Sequence, residues 1–386
     1  MKIAPDLAEM VTSLTATASV SSTLPEYDQS NLDVVHLLAN WLQPMGFSVK
    51  IKPIPQHPGK ANLIATLLPS NGNNTGGLLL SGHTDTVPFD AHLWDSDPFK
   101  LLQQNNRWYG LGVCDMKSFL ALCIAAAEPY VDAKLSHPLT ILGTADEESS
   151  MSGARDINAA DLSNPEYALI GEPTNLTPVS RHKGIMMLAL KITGQSGHSS
   201  NPELGANALD ATGLVIEELG KIRDSLSQRY IDTSFDIPTP TLNLGCIHGG
   251  DNPNRICDHV ELSFDLRVLP GMNHNAVMDE IQERIQPRLT DQGLEFGLRL
   301  LHPALAPFQS SGVELLETIQ QTTGHKPGSV AFATEAPFLE DLGIQTIVMG
   351  PGSIDQAHQP NEFLELAQLE PTIDIIRALI DRYCCS

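Results

Sequence analysis

Residues 78–85 read LLLSGHTD: three leucines, two small residues, then an imidazole and a carboxylate at His83 and Asp85. An unbroken apolar run of strand length, with no polar alternation, suits a parallel strand covered on both faces. The same grammar recurs three times. Residues 139–143 (LTILG) lead to Glu147 and Glu148, residues 167–170 (YALI) to Glu172, and residues 344–349 (IQTIVM), through a Gly/Pro loop, to His358. Stretches of helical length lie between these runs. Residues 116–127 are predicted as one helix, with Asp115 placed as its N-cap and Pro129 ending it. Apolar strands alternating with helices define an α/β architecture.

The middle of the chain follows another plan. Strands are predicted at residues 185–192, 241–247, 260–268 and 294–301, and helices at residues 205–222 and 275–287. That order, βαββαβ, is a split βαβ unit able to fold as a small ferredoxin-like α+β sandwich. Residues 260–268 alternate cleanly: Val260, Leu262, Phe264, Leu266 and Val268 face one way, and Glu261, Ser263, Asp265 and Arg267 the other. After residue 303 the mixed α/β pattern returns. The expectation is a discontinuous domain of residues 1–180 and 304–386, interrupted by an inserted domain of residues 181–303. Residues 71–77 (NGNNTGG) read as a flexible turn.

The length, 386 residues, fits two domains or three. With 46 acidic and 23 basic side chains the formal charge is −23, which argues against nucleic acid and against an anionic membrane surface as partners. Hydrophobic residues at 41% exclude wholesale disorder, and the longest apolar run, residues 119–127, is far too short to span a bilayer. The amino-terminal stretch MKIAPDLAEM has no apolar signal core. Cys114, Cys123, Cys246, Cys257, Cys384 and Cys385 contain no C-x-x-C pair and read as scattered thiols, so a cytoplasmic protein is expected.

Ligands of open α/β sheets bind outside the carboxyl ends of the strands. There this sequence gathers two imidazoles and several carboxylates, with Asp115 added from a loop that enters a helix. An isolated strand-end His is most often a surface or core residue, a lone Glu-Glu pair is usually solvated, and Asp115 alone is most simply a cap. Joint occurrence at successive strand ends is what independent accidents do not explain. So much negative charge in one crevice is unfavourable unless a cation neutralises it. His83, Asp115, Glu148, Glu172 and His358 suit divalent zinc, or cobalt and manganese in the same geometry. Bridging by Asp115 divides the set evenly, His83 and Glu172 on one ion, Glu148 and His358 on the other. Asp85 is expected to hold the second ring nitrogen of His83. Glu147 remains beside the metals as a general base.

The segments SGHTDTVP (81–88), GLGVCDMKS (110–118), TADEESSMSGAR (144–155), LIGEPT (169–174) and GSIDQAHQP (352–360) resemble the metal motifs of the M20 family of dinuclear zinc peptidases and deacylases. The resemblance covers almost the whole chain. GQSGHSSNP (194–202), the segment 241–257, ATEAPFLEDLG (333–343) and the segment 349–364 look most like members that remove a small acyl group from an amino acid. The resemblance implies two Zn2+ per subunit, bound by His83, Asp115, Glu148, Glu172 and His358, with Glu147 as general acid/base and Asp85 as orienting carboxylate. It also implies a homodimer formed through the inserted domain, so that His198 reaches the partner's site as an oxyanion donor with Asn254 beside it. Arg267 would hold the substrate's α-carboxylate, with Arg255 a second candidate. Without the family, His198 reads as a polar turn residue, Arg267 as a surface partner of Asp265, and Arg255 as plain surface. Ser118 departs from the family, which usually carries Gly there.

The reading is therefore a metal-dependent amide hydrolase of small N-acyl amino acids. An N-succinyl substrate or a dipeptide is the rival within hydrolases, and a metal-binding protein without catalysis is the rival outside them. No G-x-S-x-G elbow, H-E-x-x-H helix or phosphate-binding G-x-x-x-x-G-K-[ST] loop occurs, and Gly110-Leu111-Gly112 runs to Asp115 where a dinucleotide loop needs its third glycine.

Overall fold

The computed structural model describes residues 4–385, so the first three residues of the amino-terminal stretch and Ser386 lie outside the described residues. The chain divides into two compact units: Met1–Ser180, Ser310–Gly328 and Thr334–Ser386 form the first, and Arg181–Gln309 with Ser329–Ala333 form the second. The return to the first unit comes at Ser310 instead of residue 304, because Ile185 and Leu305 exchange backbone bonds and Phe308 pairs with His182.

In the first unit the four apolar runs are neighbouring parallel strands. Leu139–Thr144, Leu78–His83, Tyr167–Pro173 and Gln345–Gly350 lie side by side in that order. Ala61–Leu67 and Ser48–Pro53 extend the sheet antiparallel beyond Leu139–Thr144, so the sheet is mixed. Leu78–His83 and Tyr167–Pro173 are buried at every position, as runs without polar alternation require. Their ladders run further than the sequence pattern suggests. His83 still pairs with Thr144, and the second strand reaches Pro173, so His83 and Glu172 belong to the strands themselves.

The helix after Asp115 runs Lys117–Ala127 and is buried on almost every side, packed on the sheet and against the helices Leu7–Ala16 and Leu369–Cys384. Its N-cap is Met116, without a side-chain cap. The expected Asp115 cap is not made, because that carboxylate is turned to His83. Gly171 allows this approach: a Cβ there would lie 2.0 Å from the Phe119 ring.

The second unit is an antiparallel sheet ordered Thr241–Gly249, His259–Val268, Gly184–Thr193 and Glu295–Leu300. The helices Ala208–Arg229 and His274–Thr290 supply Val215, Leu219, Ile281 and Ile285 to a core shared with Val260, Leu262, Phe264, Leu266 and Val268. The βαββαβ order is as the hydrophobic periodicity predicts. Among the described residues no helix is long and apolar enough to cross a membrane.

Candidate metal centre

Because the four central strands of the first unit run in one direction, their carboxyl ends share one edge. His83 and Glu172 close two strands, Glu147 and Glu148 follow the third, and His358 follows the fourth. The ring of His83 lies with Nε2 3.0 Å from Asp115 Oδ1, and Nε2 of His358 lies 2.9 Å from Glu148 Oε2 and 3.7 Å from Asp115 Oδ2. Asp115 thus stands between the two histidines, the place a bridging carboxylate would take. Ligand atoms of His83, Asp115 and Glu148 fall within 4.8 Å of one another, as do those of His83, Glu147 and Glu172. The second grouping puts Glu147 as near to His83 as an expected ligand.

The side chains fit a cation. Nδ1 of His83 bonds the backbone oxygen of Asp85 at 2.9 Å, which places the ring proton there in the neutral tautomer and leaves the Nε2 lone pair facing a carboxylate oxygen. Such a contact needs a positive centre between the two atoms. Oε1 of Glu172 is buried with no hydrogen-bond partner, a cost that a ligand removes. Burial pushes Glu147 and Glu172 well above the usual carboxylate range, and Glu172 and Asp115 respectively add their charges. Glu148 is raised by burial and by Asp115, and Asp85 by burial. Burial works to lower His83, yet its bond to Asp115 carries it well above its ordinary value. His358 is held up at about 9 by its bond to Glu148. Without metal the cluster retains protons, and a divalent ion would replace them.

Asp85 acts through the backbone more than through the ring. Its carboxylate lies 3.8 Å from His83 Nδ1, while its two oxygens accept the backbone N–H groups of Glu147 and Glu148 at 3.2 and 3.1 Å. The imidazole is held by the Asp85 carbonyl and the acidic loop by the Asp85 carboxylate. A second tether is Lys60, almost fully buried, with Nζ 2.8 Å from Asp146 and 2.7 Å from Asp28. Asp146 also accepts from Ser21 and Ser152, which fixes the residue immediately before Glu147 in a left-handed conformation with φ 58°.

Two buried carboxyl groups of this region have no role in the sequence reading. Glu335 accepts from Thr144 Oγ1 at 2.9 Å and is pushed up to about 7 by burial. It precedes Ala336 and Pro337, where an acid reads as an ordinary helix-start residue. Glu362, four residues after His358, accepts three backbone N–H groups and is pushed up to about 8 by burial. A Glu between Asn361 and Phe363 gives no sign of that.

The second unit holds the other candidates. Nδ1 of His198 accepts the backbone N–H of Ser200 at 3.1 Å, so the neutral ring carries its proton on Nε2 and is a donor there. His198 bridges Arg255 along the backbone, and Ser199 N donates to Asn254 O at 3.1 Å, which groups His198, Asn254 and Arg255. Arg255 is paired with Asp251 on the surface. The Arg267 guanidinium donates to Asp265 at 2.9 Å, the surface pair that local sequence suggests. Arg267 is not beside His198. From the His259–Thr193 pair to the Arg267–Ile185 pair is eight residues, 267 − 259, which at ~3.3 Å per residue is about 26 Å of strand.

Residues 79–382 match the model of peptidase family M20/M25/M40. The chain belongs to this family. As an M20 protein it is a metal-dependent hydrolase. It is 45% identical over 381 residues to acetylornithine deacetylase of Proteus mirabilis, covering 98% of this chain and 97% of the relative. It is 44% identical over 383 residues to acetylornithine deacetylase of Photorhabdus laumondii, covering 99% and 98%. Among solved structures, a tripeptidase from Staphylococcus aureus superposes with a TM-score of 0.77 at 18% identity, over 97% of both chains. An M20 family metallo-carboxypeptidase from Sulfolobus solfataricus gives 0.72 at 17% identity, over 97% of this chain and 98% of its own. These structures share the M20 fold.

Proposed function

We propose that the chain hydrolyses N2-acetyl-L-ornithine to L-ornithine and acetate, a step of arginine biosynthesis, with two Zn2+ per subunit that Co2+ or Mn2+ can replace. What carries the chemistry is the convergence of His83, Asp115, Glu147, Glu148, Glu172 and His358 at one sheet edge. The substrate rests on the full-length likeness to the deacetylases of Proteus mirabilis and Photorhabdus laumondii. His83 and Glu172 would hold one ion, Glu148 and His358 the other, with Asp115 between. When bound, the ions polarise the acetyl carbonyl and lower the pKa of water from ~15.7 in bulk toward ~7.

The protein's own groups do the rest. Glu147, kept in place by its backbone bond to Asp85, takes the proton of the attacking water and returns it to the leaving amine. His198, with Nε2 as donor, stabilises the oxyanion, and Asn254 lies next to it on the chain's loop. Arg267 binds the α-carboxylate, and Arg255 is a second group for the same anion. About 26 Å of strand between the His198 and Arg267 ends supports the sharing of sites: one second unit alone would not bring both residues to a small molecule, and a homodimer through that unit would. Six free cysteines, Cys114 to Cys385, support a reducing cytoplasm.

The test is kcat/KM for N-acetyl-L-ornithine against N-succinyl-diaminopimelate and a dipeptide panel, with and without chelator. Preference for the acetyl substrate, lost on chelation and restored by Zn2+, is expected. Preference for the succinyl substrate, or full activity in chelator, would overturn the reading.

A further inference from the structure

Glu362 is a buried carboxyl group that the mechanism does not use. It is 2% exposed. Its two oxygens accept three backbone N–H groups from one loop: Gly112 at 2.9 Å on Oε2, and Cys114 at 2.7 Å and Asp115 at 3.0 Å on Oε1. That loop delivers Asp115, and Glu362 itself lies four residues beyond His358. The connection is built at backbone level as well. Phe363 pairs with Tyr109 in a small antiparallel sheet, and Gly110 N donates to Glu362 O at 3.2 Å. A loop whose successive N–H groups turn inward to a carboxylate has its φ/ψ angles fixed by that acceptor.

We propose that Glu362 is the positioning residue that couples the Asp115 loop to the His358 loop, so that the bridging carboxylate and the second imidazole are set as one piece before metal arrives. The inference rests on the metal reading of the site and says which residue outside the ligand set determines its two-ion geometry. Removing a hydrogen-bonding group of this kind behind metal ligands costs roughly 10- to 100-fold in metal affinity. The loss should be larger for the ion that Glu148 and His358 would hold with Asp115, and smaller for the other, whose remaining ligands His83 and Glu172 are held by their own strands.

Glu362→Gln keeps the shape and replaces one acceptor oxygen with an NH2 group that faces a donor. Two readouts separate the role from a general loss of stability. In the metal-free protein, amide hydrogen exchange over residues 110–116 should be faster in the variant. Titration with Co2+, followed by its visible absorption, should show one of two binding phases displaced by roughly tenfold or more and the other by clearly less. Glu362→Asp, which keeps the charge on a shorter arm, serves if the Gln variant does not fold, and should show the same split in smaller measure. Unchanged exchange would overturn the proposal. So would faster exchange with both Co2+ phases unmoved, which would leave Glu362 a purely structural acceptor. Wild-type protein that takes up no Co2+ would instead remove the metal reading, and the coupling with it, while the exchange result still reports on the loop.

Discussion

The metal-centre residues of the first unit and the candidate residues of the second unit are built on opposite terms. His83, Asp85, Asp115, Glu147 and Glu172 are all buried and Glu148 is partly so, and burial with mutual repulsion shifts several of them away from their ordinary protonation; His358 is the exception, exposed and held by its bond to Glu148. His198, Asn254 and Arg255 are exposed, and Arg267 and Arg255 already have acidic partners beside them. Buried charge that the protein leaves uncompensated is costly, and it persists where a ligand offsets that cost. Exposed, locally paired charge costs little and so says little by itself. The first group by itself points to a bound cation; the second, read locally, is ordinary surface.

Substitutions can break that contrast, and the largest expected effect is at the base. Glu147→Gln should retain the wild-type metal content, measured by atomic absorption, and lose turnover by a factor on the order of 10³. Normal turnover would move the base elsewhere; loss of metal would make Glu147 a ligand, as its closeness to His83 and Glu172 allows. Next comes His198→Ala, expected to lower kcat by about 10²-fold with metal content unchanged. Mixing that variant with Glu147→Gln should restore part of the activity in heterodimers. Absence of restoration would count against shared sites.

The contrast also sets how stability depends on pH. In the metal-free protein Glu335 and Glu362 are raised by burial to about 7 and about 8, and Glu147, Glu148 and Glu172 are raised too. From roughly pH 4.5 upward the folded chain binds more protons than the unfolded chain, so stability falls as pH rises through that window. His358, held up at about 9 by Glu148, acts in the same sense: its contribution is complete below roughly pH 6.5 and is lost as pH rises through the folded value. Lys117, lowered to about 8 by burial, opposes this trend only at higher pH. The Tm of chelator-treated protein should therefore fall between about pH 5 and pH 8, and saturating Zn2+ should flatten the slope. A flat metal-free profile would show that these groups are not buried together.

The smallest effect is expected at Ser118. Its hydroxyl is buried with no hydrogen-bond partner, so Ser118→Ala should raise stability by about 1 kcal/mol in denaturant unfolding with catalysis unchanged. A loss of stability would mean that the hydroxyl is satisfied in solution, and the packing around this helix start would need revision.

The apolar runs 78–80, 139–142 and 167–170 announced buried parallel strands because such strands need apolar side chains on both faces, and alternation in residues 260–268 announced a sheet with one dry face. From there the clustering of the strand-end side chains was readable, since parallel strands place their carboxyl ends along one edge. Chain order could not show that Asp115 would leave its helix uncapped to meet His83, or that Asp85 would spend its carboxylate on two amides and its carbonyl on the ring. Nor could it show Glu335 and Glu362 beneath the site. Those outcomes depend on which backbone N–H groups a particular loop turns inward. Local sequence fixes periodicity and polarity, whereas the partner of a buried carboxylate is chosen by segments as distant as 250 residues along the chain, as Gly112 lies from Glu362.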